Sequence, residues 1–201
     1  MVTLFIIALT AVISYLGFQN PRLIDKLIFW PPAIKQGKEY YRFVSHGLIH
    51  ADFQHLLFNM FTLYFFGRYF ESFLATRVGP IGYLVFYAIA IVVAIIPTYY
   101  KNIDNKNYRS LGASGAVSAV LFAFILLNPW SLIFVFFIPC PAIVYGIAYT
   151  AWTIWSSKKN NDNINHSAHL WGAAYGLLFT VLLEPKVLAH FTQTLFRTGG
   201  A

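Results

Sequence analysis

Long apolar stretches constrain the fold of this chain more than any other feature of its sequence. A helix needs about 20 predominantly apolar residues to cross the hydrocarbon core of a bilayer, where backbone groups must be satisfied within the segment. Hydrophobic residues make up 58% of the chain and charged residues only 10%. We therefore predict an all-α polytopic membrane protein. The six predicted transmembrane helices are Val2–Gly17, Phe53–Leu74, Gly79–Tyr100, Ser114–Leu127, Trp130–Trp155 and His166–Glu184.

The domain organisation follows from these stretches. We expect one membrane domain over residues 1–186 and a short C-terminal tail over residues 187–201. The opening stretch lacks a basic start and a clear cleavage site, so it is predicted to be a retained span and not a signal peptide. In the fifth stretch, Pro139 and Pro141 remove backbone donors and predict a kinked or loosened helix.

Charge and cysteine content exclude several kinds of partner and cofactor. The net charge is +7, but the basic residues are spread over the connections between spans, which favours anionic lipid headgroups over nucleic acid as partners. Cys140 is the single cysteine, which excludes an internal disulfide, and no CxxC pattern indicates a metal site. We therefore predict no metal and no cofactor.

Polar side chains gather at the starts of the three even-numbered spans. In a serial bundle these spans run in the same direction, so their N-terminal ends share one face of the membrane. Polar groups at this depth are costly unless they face a cavity or a partner. Taken singly, a membrane serine commonly bonds to its own helix, and His or Asn commonly links helices. Together they supply a nucleophile, a base and oxyanion donors. The residues concerned are His50, His55, Asn59, Ser114, His166 and His169.

The local spacing of these residues suits acyl transfer. His55 and Asn59 are four residues apart and project from one face of the second span. Gly112 and Gly115 add almost no bulk on either side of Ser114, so backbone N–H groups can point toward a substrate carbonyl. This serine begins a helix, where unpaired N–H groups and the helix dipole favour developing negative charge.

The sixth span carries a pattern for close helix packing. Gly172 and Gly176 form a GxxxG pair directly after His169, and such pairs allow helix backbones to approach closely. Packing of the fourth and sixth spans would therefore bring His169 toward Ser114.

Taken together, these motifs resemble the rhomboid family of intramembrane serine proteases. The resemblance covers roughly residues 40–180 and rests on three motifs in the order of the family: HADFQHLLFN at residues 50–59, GASG at residues 112–115 and AHLWGAAYG at residues 168–176. Arg42, within YYRFVSH, and Glu71, within GRYFES, are similar to the structural arginine and glutamate of the family.

The resemblance implies both an activity and its residues. A rhomboid-like bundle of six helices would use a Ser–His dyad of Ser114 and His169 to hydrolyse peptide bonds in or near transmembrane segments of membrane-protein substrates. The implied oxyanion donors are the backbone N–H of Ser114 and the side chains of His55 and Asn59. His50, Gly112, Arg42 and Glu71 would be secondary or structural. We expect an integral, multi-pass protein of a prokaryotic cell membrane that uses no cofactor.

The chain departs from the family pattern at several points. The family commonly has an aromatic residue four positions after the nucleophile, packing on the base, and this chain has Ser118 there. We expect Tyr175 or Trp171 to take over that packing. A glycine that is common four residues after the glutamate is Ala75 here.

The charge distribution conflicts with the membrane orientation of the family. The resemblance places the termini in the cytoplasm and the active-site face outside. However, ten of the 14 Lys and Arg residues fall on the active-site face of the predicted topology and four on the other. The positive-inside rule alone would predict the reverse orientation. We keep the orientation that the resemblance implies, because charges held in structured loops near lipid headgroups do not set the topology in the same way.

Other possible functions require residues that can be compared with those of this chain. A non-catalytic rhomboid-like protein that binds and escorts membrane segments is the main alternative, but such proteins typically lack the nucleophile or the base. Metal or haem transport through the histidines would lack accompanying carboxylates or thiols. The chain has no HExxH motif, which excludes a zinc protease of that type. None of its aspartates lies in a predicted span, so it cannot form an intramembrane dyad of carboxylates.

Overall fold

The computed structural model describes residues 1–135, 137–159 and 164–196. In these ranges the fold is mostly helical, with one short antiparallel hairpin. The helices are α1 Val2–Gln19, α2 Pro21–Leu27, α3 Pro31–Gly37, α4 Arg42–Ser45, α5 Phe53–Thr62, α6 Arg68–Val78, α7 Gly82–Lys101, α8 Ser114–Leu127, α9 Ala142–Lys159, α10 His166–Leu183 and α11 Lys186–Phe196. A 3-10 turn, His46–Leu48, follows α4, a π-helical stretch, Leu63–Gly67, joins α5 to α6, and strands β1 Leu132–Val135 and β2 Ile138–Pro141 form the hairpin.

Helix α8 lies at the centre of the fold. Nearly all of its residues are buried, and it packs against α7, α9 and α10. Its small residues Ala116, Ala119 and Ala123 belong to a core cluster that also contains Phe86 of α7. A helix that is apolar all round belongs inside a bundle, so the serine at its start is carried into the protein by the packing of the whole helix.

The connection between α1 and α5 folds over the N-terminal end of α8. Asn20 begins α2 by accepting hydrogen bonds from the N–H groups of Arg22 and Leu23, as a helix cap does. Further along, Phe29 and Ser110 exchange two backbone hydrogen bonds of 3.0 and 3.1 Å. This bridge ties the connection to the loop that leads into α8.

The N-terminus of α1 is held by Glu71 of α6. Its carboxylate accepts hydrogen bonds from the backbone N–H groups of Val2 at 2.6 Å and Thr3 at 3.0 Å. An acidic group at this end of a helix satisfies orphan donors and interacts favourably with the helix dipole. The residue that resembles a structural glutamate thus fastens the first helix to the second long helical segment.

The predicted fifth span, Trp130–Trp155, is wrong in its first half. Leu132–Val135 and Ile138–Pro141 pair as the strands β1 and β2 of the hairpin, and α9 begins only at Ala142. Pro139 and Pro141 lie in β2, so they do not kink a helix. A proline cannot donate to a ladder and is confined to edges or strand starts, and a two-stranded hairpin consists of edges alone.

Only some of the described helices are long and apolar enough to cross a membrane. Within the described ranges, α1 and α7 are long and apolar enough to cross a membrane. The α10–α11 pair also passes this test, but it is bent by 111°, and α8 is a shorter apolar helix. The prediction of six transmembrane helices is therefore not confirmed. Most of α11 falls in the predicted tail, of which residues 197–201 lie outside the described residues.

Candidate functional site

Two side chains from different helices meet at the N-terminal ends of α8 and α10. Nε2 of His169 lies 2.7 Å from Oγ of Ser114, a hydrogen-bond distance. Both residues are half-buried, so they are neither sealed in the core nor fully open. A serine hydroxyl within hydrogen-bond reach of an imidazole nitrogen can lose its proton to that nitrogen and act as a nucleophile.

Glycines at the α8–α10 contact bring these two residues together. A Cβ atom on Gly172 would overlap the carbonyl oxygen of Gly115, and one on Gly176 would overlap that of Ala119. The two helix backbones are therefore in direct contact over two turns, as the GxxxG pair predicts. His169 lies one turn before Gly172 on α10, beside the start of α8.

The turn before Ser114 depends on a glycine in the left-handed region. Gly112 has φ +113°, which L side chains rarely adopt. A Cβ atom at Gly112 would also lie 2.6 Å from Cε1 of His55. The Gly112 N–H donates to the carbonyl of His46 over 2.9 Å. Strain and close packing therefore both require glycine here.

His50 anchors the same turn to α1. The Ala113 N–H donates to Nε2 of His50 over 3.4 Å, so that nitrogen carries no proton and Nδ1 carries one. Nδ1 lies 2.9 Å from Oγ of Ser14, and this hydroxyl donates to the carbonyl of Leu48 over 3.0 Å. His50 thus serves as a neutral link between α1 and the backbone immediately before Ser114.

Burial keeps two histidines of this connection uncharged. His50 and His46 are 1% and 5% exposed. Burial lowers the pKa of His50 to about 3 and the pKa of His46 to about 4, because desolvation disfavours the charged imidazole. Nδ1 of His46 also lies 2.9 Å from the carbonyl of Arg42. Both imidazoles are therefore neutral structural links at ordinary pH.

The two expected side-chain donors to the oxyanion lie on α5. Asp52 begins this helix by accepting the N–H of His55 over 2.7 Å, and the His55 ring lies against both Gly112 and His50, with 4.9 Å between the two imidazole centroids. Asn59 follows one turn later and is 6% exposed. Within the described part of the chain, its amide nitrogen has no hydrogen-bond partner. A buried donor without a partner is costly and is available to a ligand.

Arg42 lies outside this group and stabilises the connection over α8. Its Nη1 donates to the carbonyls of Asp25 at 2.9 Å and Ile28 at 2.7 Å, and its Nε to Glu39 at 2.6 Å. Hydrogen bonds from Tyr41 and Arg42 hold the pKa of Glu39 below its usual range. The residue that resembles a structural arginine therefore joins three segments without touching Ser114.

The beginning of α10 is held by polar contacts of its own. Asn165 caps the helix by accepting the N–H of Ala168 over 3.1 Å, and it also accepts the Thr98 hydroxyl of α7. His166 is buried, and its ring lies 6.2 Å from that of His169 at 79° and 5.3 Å from that of Trp152. These contacts fix the helix turn that carries His169.

The aromatic residue that lies beside His169 was not predicted from the sequence. Tyr149 of α9 stacks on the imidazole, with ring centroids 6.1 Å apart and planes at 22°. The expectation that Tyr175 or Trp171 fills this place is wrong, because Tyr175 stacks on Phe86 and Trp171 is 50% exposed. The one signal available in the sequence was Ser118, a hydroxyl residue deep in an apolar helix.

A metal centre is not indicated by the geometry. Among the residues that the structure describes, no group of three or more His, Cys, Asp and Glu side chains is arranged to hold a metal ion. The histidines near Ser114 instead contact backbone groups, other rings and the serine itself.

Comparison with known proteins places this arrangement in a family. The profile of the rhomboid domain matches residues 37–186, which is most of the chain. The chain is 36% identical to the RHOMBOID-like protein 12, mitochondrial, of Arabidopsis thaliana over 65% of its own length, but it spans only 43% of that relative. It is 27% identical to the putative rhomboid protease YdcA of Bacillus subtilis over 92% of its length and 89% of the relative.

A third relative carries a similar name. The rhomboid protease GlpG of Haemophilus influenzae is 32% identical over 60% of this chain and 59% of its own length. Together with the apolar helices, these matches indicate an integral membrane protein. The match of the domain profile over most of the sequence shows that the chain belongs to the rhomboid family.

Proposed function

We propose that this protein is an intramembrane serine endopeptidase in which Ser114 and His169 form the catalytic dyad. The single observation that carries the proposal is the 2.7 Å distance between Oγ of Ser114 and Nε2 of His169. The names of two relatives, a rhomboid protease and a putative rhomboid protease, support the same class of reaction.

The first step is nucleophilic attack on a substrate carbonyl. Nε2 of His169 accepts the proton of the Ser114 hydroxyl as Oγ forms a bond to the carbonyl carbon. The carbonyl π bond breaks, and its electron pair moves to the oxygen. The products of this step are a tetrahedral oxyanion and a protonated His169.

Donors around the start of α8 stabilise this oxyanion. The backbone N–H of Ser114 lies at a helix N-terminus whose cap, Ala113, offers no side-chain acceptor, so the helix dipole and its orphan donors are directed at the developing charge. His55 and Asn59 are the further donors, and the amide nitrogen of Asn59, which has no hydrogen-bond partner among the described residues, supports this role. Donors that are in place before the reaction need no reorganisation when charge develops.

Collapse of the intermediate completes the first half of the reaction. The C–N bond breaks, the leaving amine takes the proton from His169, and an acyl-enzyme on Ser114 remains. A water molecule then gives a proton to His169 and attacks the acyl carbon. The second tetrahedral intermediate collapses, Ser114 recovers its proton, and the peptide acid leaves.

The location of the dyad indicates the class of substrate. Ser114 and His169 are half-buried at one end of a bundle of apolar helices, so a bond at the edge of a transmembrane segment is better placed to reach them than a bond in a soluble domain. We infer that the partners are transmembrane proteins and membrane lipid. The long match to the relative from Bacillus subtilis supports a prokaryotic cell membrane.

The test is cleavage of a transmembrane substrate by purified protein in lipid vesicles. Ser114→Ala and His169→Ala are each expected to lower kcat/KM by at least about 10³-fold, since dyad members act as a unit. Ser72→Ala and His190→Ala serve as matched controls, because they remove a serine and an exposed histidine far from the site, and both should cleave at the wild-type rate.

Two results would overturn the proposal. Equal cleavage by wild type and by both dyad variants would assign the activity to a contaminant. A wild type that binds the substrate segment without cleaving it would favour the escort function instead.

A further inference from the structure

A stack of aromatic rings leads from α9 onto the histidine of the site. Tyr145 stacks on Tyr149 with centroids 5.8 Å apart and planes at 26°, and Tyr149 in turn stacks on His169 at 6.1 Å and 22°. Offset, nearly parallel rings at these distances attract one another. The stack covers one face of the imidazole and belongs to a different helix from both dyad residues.

A hydrogen bond between helices fixes the tyrosine in this stack. The hydroxyl of Tyr149 lies 3.0 Å from Oγ of Ser118, and Ser118 is 4% exposed. A buried hydroxyl is costly unless it is paired, so each of the two residues satisfies the other. Ser118 also lies one turn after Ser114 on α8, so it fixes Tyr149 relative to the nucleophile itself.

The imidazole is therefore restrained from two directions. Tyr149 covers its face, and His166 meets it nearly edge-on at 6.2 Å and 79°. A ring that turned away from Ser114 would collide with one or lose contact with the other. Holding a base in the reactive orientation is worth a large rate factor, because a misplacement of 1 Å costs about 10²-fold.

We propose that Tyr149, held in place by Ser118, is the positioning residue that keeps the His169 imidazole directed at Ser114. The role rests on the proposed peptidase function and adds a third helix, α9, to its machinery. The aromatic support that the family pattern places four residues after the nucleophile is supplied here from across the α8–α9 contact.

Removing the ring is expected to affect turnover more than substrate affinity. Tyr149→Leu should lower kcat by about 10- to 100-fold and leave KM within about twofold, because the ring contacts the base itself. Tyr149→Phe keeps the ring and loses the hydroxyl, so its kcat should fall only about fivefold. Trp155→Leu is the control, since this aromatic residue of α9 is 55% exposed.

A ring swap separates positioning from general packing. Ser118→Phe alone should damage activity, because its ring competes with Tyr149 for one space. Combined with Tyr149→Leu, however, the new ring enters the vacated space beside His169. The double variant should recover at least about tenfold in kcat over Tyr149→Leu, a coupling that independent sites do not show.

Nuclear magnetic resonance tests the position of the imidazole without depending on activity. With isotope-labelled histidine, the ring protons of His169 should show an upfield ring-current shift in the wild type. This shift should be lost in Tyr149→Leu and kept in Tyr149→Phe.

The outcomes distinguish this inference from the proposed function. Wild-type kcat in Tyr149→Leu, or a double variant no better than Tyr149→Leu, would overturn the positioning role while leaving the dyad intact. A wild type without peptidase activity would overturn both, whatever the ring protons show.

Discussion

The two contacts that α8 makes with α10 and with α9 are built differently. Toward α10 the backbones themselves touch, because Gly172 and Gly176 leave no side chain between the helices. Toward α9 the gap is filled by larger side chains such as Phe122, Ile125 and Tyr149. Contact between backbones fixes distance closely, whereas large side chains can repack. The pair Ser114–His169 lies across the first kind of contact and its aromatic support across the second.

The largest expected change in unfolding free energy comes from adding a methyl group at the α8–α10 contact. The same addition at the α8–α9 contact is the comparison. Gly172→Ala should lower the free energy of unfolding by more than about 3 kcal/mol, because the Cβ would overlap a backbone carbonyl that cannot move aside. In Gly146→Ala the Cβ would lie 3.1 Å from Cδ1 of Ile125, the far end of a flexible side chain. That change should stay within about 1 kcal/mol, as measured by denaturant unfolding in detergent.

Equal losses in these two variants would contradict the distinction between the contacts. Gly176→Ala provides a repeat on the α10 side and should behave like Gly172→Ala.

Acid should weaken the connection that leads into α8. His50 and His46 are neutral when folded, because burial lowers their pKa values to about 3 and about 4, whereas an unfolded histidine titrates near about 6.5. Below that pH the unfolded chain binds protons that the folded chain does not, so stability falls as pH decreases toward 4. Each imidazole should account for about 1.4 kcal/mol between pH 7.5 and 5.5.

Variants assign this pH dependence to its source. His50→Gln should remove about 1.4 kcal/mol from the fall in unfolding free energy between pH 7.5 and 5.5, which is the share of one imidazole. A wild-type slope in His50→Gln would show that this imidazole is not the buried neutral link described here.

Replacing the hairpin prolines tests whether this segment is a strand or a helix. Pro139→Ala and Pro141→Ala should change the unfolding free energy by less than about 1 kcal/mol, with no change in helical circular dichroism, because both residues lie in a two-stranded hairpin. If the segment were helical, each replacement would add stability of about 3 kcal/mol. A gain of that size with increased helical signal would restore the longer fifth span.

The smallest expected change in unfolding free energy comes from a substitution at the tip of the β1–β2 hairpin. Phe137 has φ +72° and is 95% exposed, so its backbone is strained and its side chain packs on little of the protein. Phe137→Gly should raise the unfolding free energy by roughly 0.5 kcal/mol, the released strain being partly offset by the greater freedom of glycine in the unfolded chain. Phe134→Gly, in extended β1, should lower it.

The contrast between the contacts also explains what the sequence could predict. The approach of His169 to Ser114 was predictable, because small residues at GxxxG spacing have few packing options and the even-numbered spans must share a face. The start of α9 was not predictable, because the run Trp130–Trp155 is predominantly apolar and composition alone does not separate a hairpin from a helix. Two closely spaced prolines were the available warning.

Side-chain contacts between distant segments were the least predictable part of the site. Tyr149 reaches His169 from another helix, and no spacing rule along the chain connects the two residues. The same holds for His50, which was expected to be secondary or structural and whose link between Ser14 and Ala113 depends on the turn formed by Gly112.

The most direct test of the central proposal is the mass of the protein after reaction with a fluorophosphonate, a reagent that modifies activated serine hydroxyls. We expect one adduct in the wild type, located on Ser114 by peptide mapping, and none in Ser114→Ala or His169→Ala. An unmodified Ser114 in folded wild-type protein, or an equally fast adduct in His169→Ala, would contradict the assignment of these two residues as nucleophile and base.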